Sequence, residues 1–98
     1  MTILWLLSAE KDIISIIEYH ENLASSDAGH RVVQSVVHSA LLLSEYSHLG
    51  HLSASVDGVY ELHVPQFPYL LAYRIINDRI EILRVFHESQ DRPSAWQI

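Results

Sequence analysis

The sequence predicts an α+β domain: a short N-terminal strand, an antiparallel helical hairpin, then a three-stranded antiparallel sheet. Three observations lead there. Apolar residues recur every three or four positions through the first half of the chain. After Gly58 the pattern changes to short apolar runs rich in Val, Ile, Leu and Tyr. Those runs are separated by turns too short to join anything but antiparallel neighbours. Ninety-eight residues form a single domain, 1–98, and 49% hydrophobic content is ample for its core.

Met-Thr-Ile-Leu-Trp-Leu-Leu opens the chain with neither a basic leader nor the length of a membrane span, and reads as an edge strand. Ser8 is placed to cap a first helix, with Glu10 in its first turn. Ala9, Ile13, Ile16, Ile17 and Leu23 give that helix one apolar face, and it should end near Asn22–Ser25. Ser26 or Asp27 caps a second helix whose stripe is Val32, Val33, Val36, Val37, Ala40, Leu41 and Leu43, with Leu42 pointing away. Gly29 and the valines lower its intrinsic propensity, so packing must hold it, and Gly50 is the natural stop. A link this short makes the helices antiparallel neighbours.

Residues 51–57 have no period and read as loop. Strands are expected over Val59–Val64, Tyr69–Ile76 and Arg79–His87. Asn77-Asp78 is a two-residue hairpin turn in which both residues tolerate positive φ, and Pro65-Gln66-Phe67-Pro68 closes the preceding hairpin. These turns set the register: Arg74 faces Glu81, Tyr73 faces Ile82, Leu71 faces Arg84, Leu62 faces Leu71 and Tyr60 faces Tyr73. One face then carries Tyr60, Leu62, Val64, Tyr69, Leu71, Tyr73, Ile75, Ile80, Ile82 and Phe86, with Arg84 among them, as a bed for the helices. The other carries His63, Leu70, Arg74, Leu83, Val85 and His87, and nothing remains in the chain to cover it. Residues 88–98 form a polar tail containing Arg92 and Trp96.

Charge narrows the function. Twelve acids against six bases give a net charge of −6, the wrong sign for a grip on nucleic acid through phosphates. Residues 1–57 hold only Lys11 and Arg31 as bases; the other four bases lie beyond, so any anion-facing surface belongs to the C-terminal half. The absence of cysteine excludes disulfides and thiol chemistry and fits a cytoplasmic location. His48 and His51, and His63 and His87, invite a metal reading. The second pair sits two strands apart, roughly 9–10 Å, too far to share an ion, so no metal and no cofactor are expected.

Trp5-x3-Ala9-x2-Asp12-Ile13, with Ile16 or Ile17 and Tyr19, resembles the opening of the ParE branch of the ParE/RelE toxin superfamily. Gly58-Val-Tyr-Glu-Leu-His-Val-Pro, Pro68-Tyr-Leu-Leu-Ala-Tyr-Arg-Ile and Ile80-Glu-Ile-Leu-Arg-Val-Phe-His resemble its sheet strands, and the likeness runs through nearly the whole chain. The resemblance implies the same strand, hairpin and sheet. It also implies the toxin of a type II toxin–antitoxin module, acting on DNA gyrase by binding and neutralised by a cognate antitoxin. RelE-like relatives instead cut messenger RNA on the ribosome; an inactive homologue kept as a binding scaffold is the third reading. Tyr60 stands where many ParE-like toxins place arginine, and His87 matches a histidine common at the end of the last strand.

The candidate residues follow. His87 is the one candidate for acid–base catalysis, or else a partner contact. Leu70, Arg74, Leu83, Val85, His63, His87 and Trp96 are expected to meet the antitoxin, and Tyr60, Arg79, Arg84 and Arg92 the target. Arg84 could instead be structural, its stem laid over apolar neighbours and its head on a carboxylate. An RNA-cleaving site needs cations converging on the phosphorane. The lone lysine lies on the first helix, which favours an inhibitor over a catalyst.

Overall fold

A computed structural model describes residues 1–23 and 26–90. The elements run β1 (Thr2–Trp5), α1 (Leu7–Leu23), α2 (Ser26–Leu43), β2 (His51–Leu52), β3 (Tyr60–His63), β4 (Tyr69–Ile76) and β5 (Arg79–His87). The sheet has five strands in the order β1-β5-β4-β3-β2. The three expected strands are therefore the middle of a larger sheet. On one side β1 pairs parallel with β5, Thr2 opposite Arg79 and Trp5 opposite Ile82. On the other, His51 and Leu52 pair with Glu61 and Tyr60, so part of the expected loop is a strand.

α1 ends at Leu23 and α2 starts at Ser26, as expected; the start of α1 and the end of α2 are set otherwise. The Leu6 carbonyl opens α1, accepting from the Ala9 and Glu10 N–H groups at 3.0 and 3.1 Å. Ser8 instead donates its hydroxyl to the Leu83 carbonyl at 2.7 Å and so ties the helix to β5. α2 stops at Leu43, well before Gly50. Its buried stripe is Val32, Val36, Ala40 and Leu43. Leu41, not Leu42, points outward: a full stripe of 3.6-residue period has room for Leu43 but not Leu41. Gly29 lets the helices close together, because a Cβ there would stand 3.3 Å from the Ile17 backbone.

Asn77 and Asp78 both adopt positive φ, 49° and 62°, and set the register as expected next to the turn. Arg74 faces Glu81 and Tyr73 faces Ile82. Beyond that pair the ladder slips by one residue: Ala72 faces Arg84 and Leu71 faces Val85, leaving Leu83 as the extra residue of a β-bulge. A slip of one turns every later side chain over. Val85 accordingly joins the helix-side core and Phe86 leaves it for the opposite face.

That opposite face is not open. Val59, Leu70, Ala72, Leu83 and Phe86 form a second apolar cluster with Leu6 and Val56 packed on it. The segment after β2 supplies this cover: Ser53 N–H donates to the Val59 carbonyl at 2.7 Å, and the Ser53 hydroxyl accepts from Ser55 and Val56 N–H groups. Leu70, Leu83 and Val85 are 1, 1 and 2% exposed, which overturns the expectation that they present an apolar surface to a partner.

Candidate functional site

The slip in β5 also builds a concavity. Asp12, Ile16, Tyr19, His20 and Leu23 share one face of α1, at spacings of three and four. That face overhangs the start of β4 and the end of β5, enclosing a groove of about 810 Å³ with Phe67, Tyr69, Val85 and His87 along its floor and Ser89 and Gln90 at its rim. Without the bulge, His87 would stand on the far side of the sheet.

Four rings run through the groove in sequence. Tyr19 meets His20 edge-on at 5.3 Å, His20 tilts against Tyr69 at 6.4 Å, and Tyr69 meets His87 edge-on at 5.5 Å. His20 Nε2 and the Tyr69 hydroxyl are 3.3 Å apart. Burial, and secondarily Tyr19, raises the Tyr69 phenol above its ordinary range, so it keeps its proton at neutral pH.

His87 is oriented by its own turn. Its Nδ1 accepts the Ser89 backbone N–H at 3.1 Å, with the Ser89 hydroxyl 2.7 Å away. Its own N–H donates to Gln90 Oε1. A neutral imidazole whose Nδ1 accepts carries its proton on Nε2. His87 thus offers a donor, whereas a general base needs a free lone pair.

Three arginines of the sheet sit on carboxylates. Arg84 grips Asp12 with Nε at 2.7 Å and Nη2 at 2.9 Å, and Asp12 Oδ2 also accepts the Val85 N–H at 2.8 Å. The hydrogen bonds to Asp12 push the Arg84 pKa up, outweighing the opposing effect of burial. Here α1 continues what β1 began. Leu6 N–H bonds the Ile82 carbonyl, Ser8 the Leu83 carbonyl, and Asp12 the Val85 N–H, so helix side chains finish the free edge of β5. Arg84 is therefore a structural ion pair, as the second of its two sequence readings had it.

Glu81 holds two guanidiniums: Arg74 Nε at 2.7 Å, and Arg79 Nε and Nη2 at 3.0 and 2.8 Å. The hydrogen bonds from Arg74 and then Arg79 hold its carboxyl below the usual range. A carboxyl so depressed stabilises the fold fully above its unfolded value, near 4.5, and that contribution is lost as the pH falls through the folded value. Glu81→Gln is thus expected to lower the urea midpoint at pH 7, with the gap to wild type narrowing as the pH drops below about 4.5. A gap that does not change with pH would show that the charge of Glu81 is not what stabilises.

The remaining candidates are dispersed. Tyr60 stacks on Tyr73 at 5.2 Å and meets His48 edge-on, four residues along β4 from Tyr69, roughly 13 Å. His63 Nδ1 lies 3.8 Å from Glu88, both side chains well exposed. Trp96 and Arg92 fall outside the described residues. His20 was not legible as a site residue. Its signal is its place in the Asp12, Ile16, Tyr19, His20, Leu23 series, which points to a groove only once β5 is known to turn His87 toward it.

The comparisons with known proteins bear on the fold and the family. No curated protein matches the chain. The fold is similar to that in the chromosomal ParDE toxin–antitoxin system of P. aeruginosa, at a TM-score of 0.80 and 24% identity, over 89% of this chain and 95% of that one. It is also similar to the toxin–antitoxin complex RelBE2 of Mycobacterium tuberculosis, at 0.65 and 25%, over 88% and 95%. The family model for the ParE toxin of the type II toxin–antitoxin system parDE matches residues 3–92, almost the entire chain. On that match, the chain belongs to the ParE family of type II toxin–antitoxin toxins.

Proposed function

We propose that this toxin arrests growth by binding DNA gyrase, and that a cognate antitoxin neutralises it by covering its surface. The observation that carries the first half is the state of the cations. Arg74, Arg79 and Arg84 all sit on carboxylates, and His87 Nδ1 is taken by the Ser89 N–H, so among the described residues no cluster of unmatched arginines converges on the groove. In-line cleavage of RNA places two negative charges on the phosphorane, and loss of one well-placed donor typically costs ~10²–10³ in rate. Inhibition by binding asks for no such chemistry, because gyrase itself breaks the DNA and the toxin need only favour one of its states. Membership of the ParE family supports the same reading. The antitoxin half is supported by the two similar structures, both of toxin–antitoxin systems.

The test pairs two assays on purified toxin. With gyrase and supercoiled DNA, accumulation of cleaved DNA or loss of supercoiling activity is expected. With programmed ribosomes, intact messenger RNA is expected. Message cut by the wild type and spared by His87→Ala, with gyrase unaffected, would instead establish the RelE-like reading. Silence in both assays would leave the inactive scaffold.

A further inference from the structure

A pocket of about 370 Å³ lies on the sheet face away from the helices, between residues 56–59 and the turn end of the β4–β5 hairpin. Its apolar lining includes Val56, Val59, Ile76 and Leu83, the last being the extra residue of the β5 bulge. Gly58 stands at its mouth with a φ of 75°, and a Cβ there would meet no atom within 4 Å. The volume falls at the small end of ligand pockets, which run from roughly 300 to 1,000 Å³.

Two opposite charges share this lining, Arg74 and Asp57, and they are not paired with each other. Arg74 gives only its Nε to Glu81, at 2.7 Å, which fixes the guanidinium and leaves both Nη groups without a partner among the described residues. The Asp57 carboxylate likewise has no hydrogen bond or ion pair among the described residues. A free guanidinium end matches a carboxylate with two parallel hydrogen bonds. Asp57 beside it repels a ligand that is only anionic and favours one that carries a cation as well. The two charges therefore select a zwitterion, and the lining selects an apolar group on it.

The covering segment has few ties of its own to the strands beneath it. Its hydrogen bonds run within it: Ser53 N–H to the Val59 carbonyl, Ser55 and Val56 N–H to the Ser53 hydroxyl, and Val59 N–H to the Val56 carbonyl. Its contact with β4 and β5 is the apolar packing of Val56 and Val59 on Leu70, Ala72 and Leu83. A ligand that held Asp57 and Arg74 together would span this seam.

We propose that this pocket binds a free α-amino acid with a branched aliphatic side chain. The carboxylate meets the Arg74 Nη groups, the ammonium meets Asp57, and the side chain lies against Val56, Ile76 and Leu83. Binding ties the covering segment to the β4–β5 hairpin and stabilises the fold by mass action. The site goes beyond the choice of target and holds whichever target the toxin meets.

The test is protein-detected NMR on the full, isotopically labelled chain titrated with L-leucine. Amide shifts centred on residues 56–59 and 74–76 are expected, with a Kd on the order of 1 mM, as suits so small a ligand. Glycine, which lacks the apolar group, should bind more than roughly tenfold more weakly. A loss of about tenfold is also expected for N-acetyl-leucine, which keeps only the carboxylate and mimics a chain's C-terminus, and for leucinamide, which keeps only the ammonium. Asp57→Asn should weaken leucine by a similar factor without weakening N-acetyl-leucine. Arg74→Gln should weaken leucine without weakening leucinamide, with circular dichroism confirming that each variant is folded. Should Arg74→Gln fail to fold for want of its bond to Glu81, the analogues on the wild-type chain decide the carboxylate contact. Absence of shifts at these residues with leucine in large excess would overturn the proposal. So would glycine binding as tightly as leucine, or N-acetyl-leucine doing so, the latter by making the pocket a seat for the C-terminus of another protein.

Discussion

Asp12→Ala is expected to destabilise the fold by about 3 kcal/mol. Asp12 is the partner of Arg84 through two hydrogen bonds and of the Val85 backbone through a third. The two side chains are 16 and 17% exposed, so solvent screens the pair little, and removing the carboxylate takes two hydrogen bonds from the guanidinium and one from a strand N–H together. For a domain of this size the melting temperature should fall by something on the order of 15 °C. Asp12→Asn should cost less, because an amide oxygen still accepts from Val85. The double variant Asp12→Ala/Arg84→Leu should recover part of the loss, since the charge left without its carboxylate is gone while the Val85 N–H remains unmatched. Thermal melts of the three variants decide it. An Asp12→Ala melt within ~0.5 kcal/mol of wild type would mean the pair is only a surface contact.

Gly50→Ala should cost about 2 kcal/mol by overpacking. A Cβ at this position would lie 2.8 Å from the Glu61 carbonyl oxygen and 2.9 Å from the Tyr73 hydroxyl. Neither neighbour can give. Glu61 is held in the ladder between β2 and β4, and Tyr73 is fully buried, its hydroxyl donating to Ser47 O at 2.9 Å and accepting Gly50 N–H at 3.0 Å. The obstruction is thus a close approach of three fixed groups. In a Tyr73→Phe background one obstructing atom is gone, and the same substitution should cost measurably less. Urea midpoints for the four chains of this cycle give the coupling directly. Additive costs would show that the hydroxyl does not confine Gly50.

The hairpin and the central strands were legible because each rests on a local rule. Helical spacing marked α1 and α2, and Asn77-Asp78 set the first four β4–β5 pairs. What failed depended on residues distant in sequence. Leu83-Arg84-Val85-Phe86 contains nothing that marks a bulge; the strand slips where β1 ends and α1 takes over its edge, which no local pattern reports. That slip moved Val85, Phe86 and His87, and with them the division into covered and open faces. The cover over Leu70 and Leu83 was missed because Val56 and Val59 are isolated apolar residues in a segment without period. Of the candidate site, the Arg74–Glu81 pair followed from register alone. The groove at His87 did not, since it needs the bulge and the α1 face together.

The parallel pairing of β1 with β5 has a consequence for how the toxin comes into being. Thr2 finds its partner at Arg79, so among the described strands β1 is matched only by β5. Contacts so remote in sequence slow folding, because the intervening chain must be closed before they form. During synthesis the hairpin and β3–β4 can assemble on local contacts, while β1 has no strand to join and Asp12 no Arg84 to hold. The groove, built from α1 and the end of β5, likewise forms only once β5 has been made. The groove surface therefore appears only in that late, slow docking of β5 against β1 and α1.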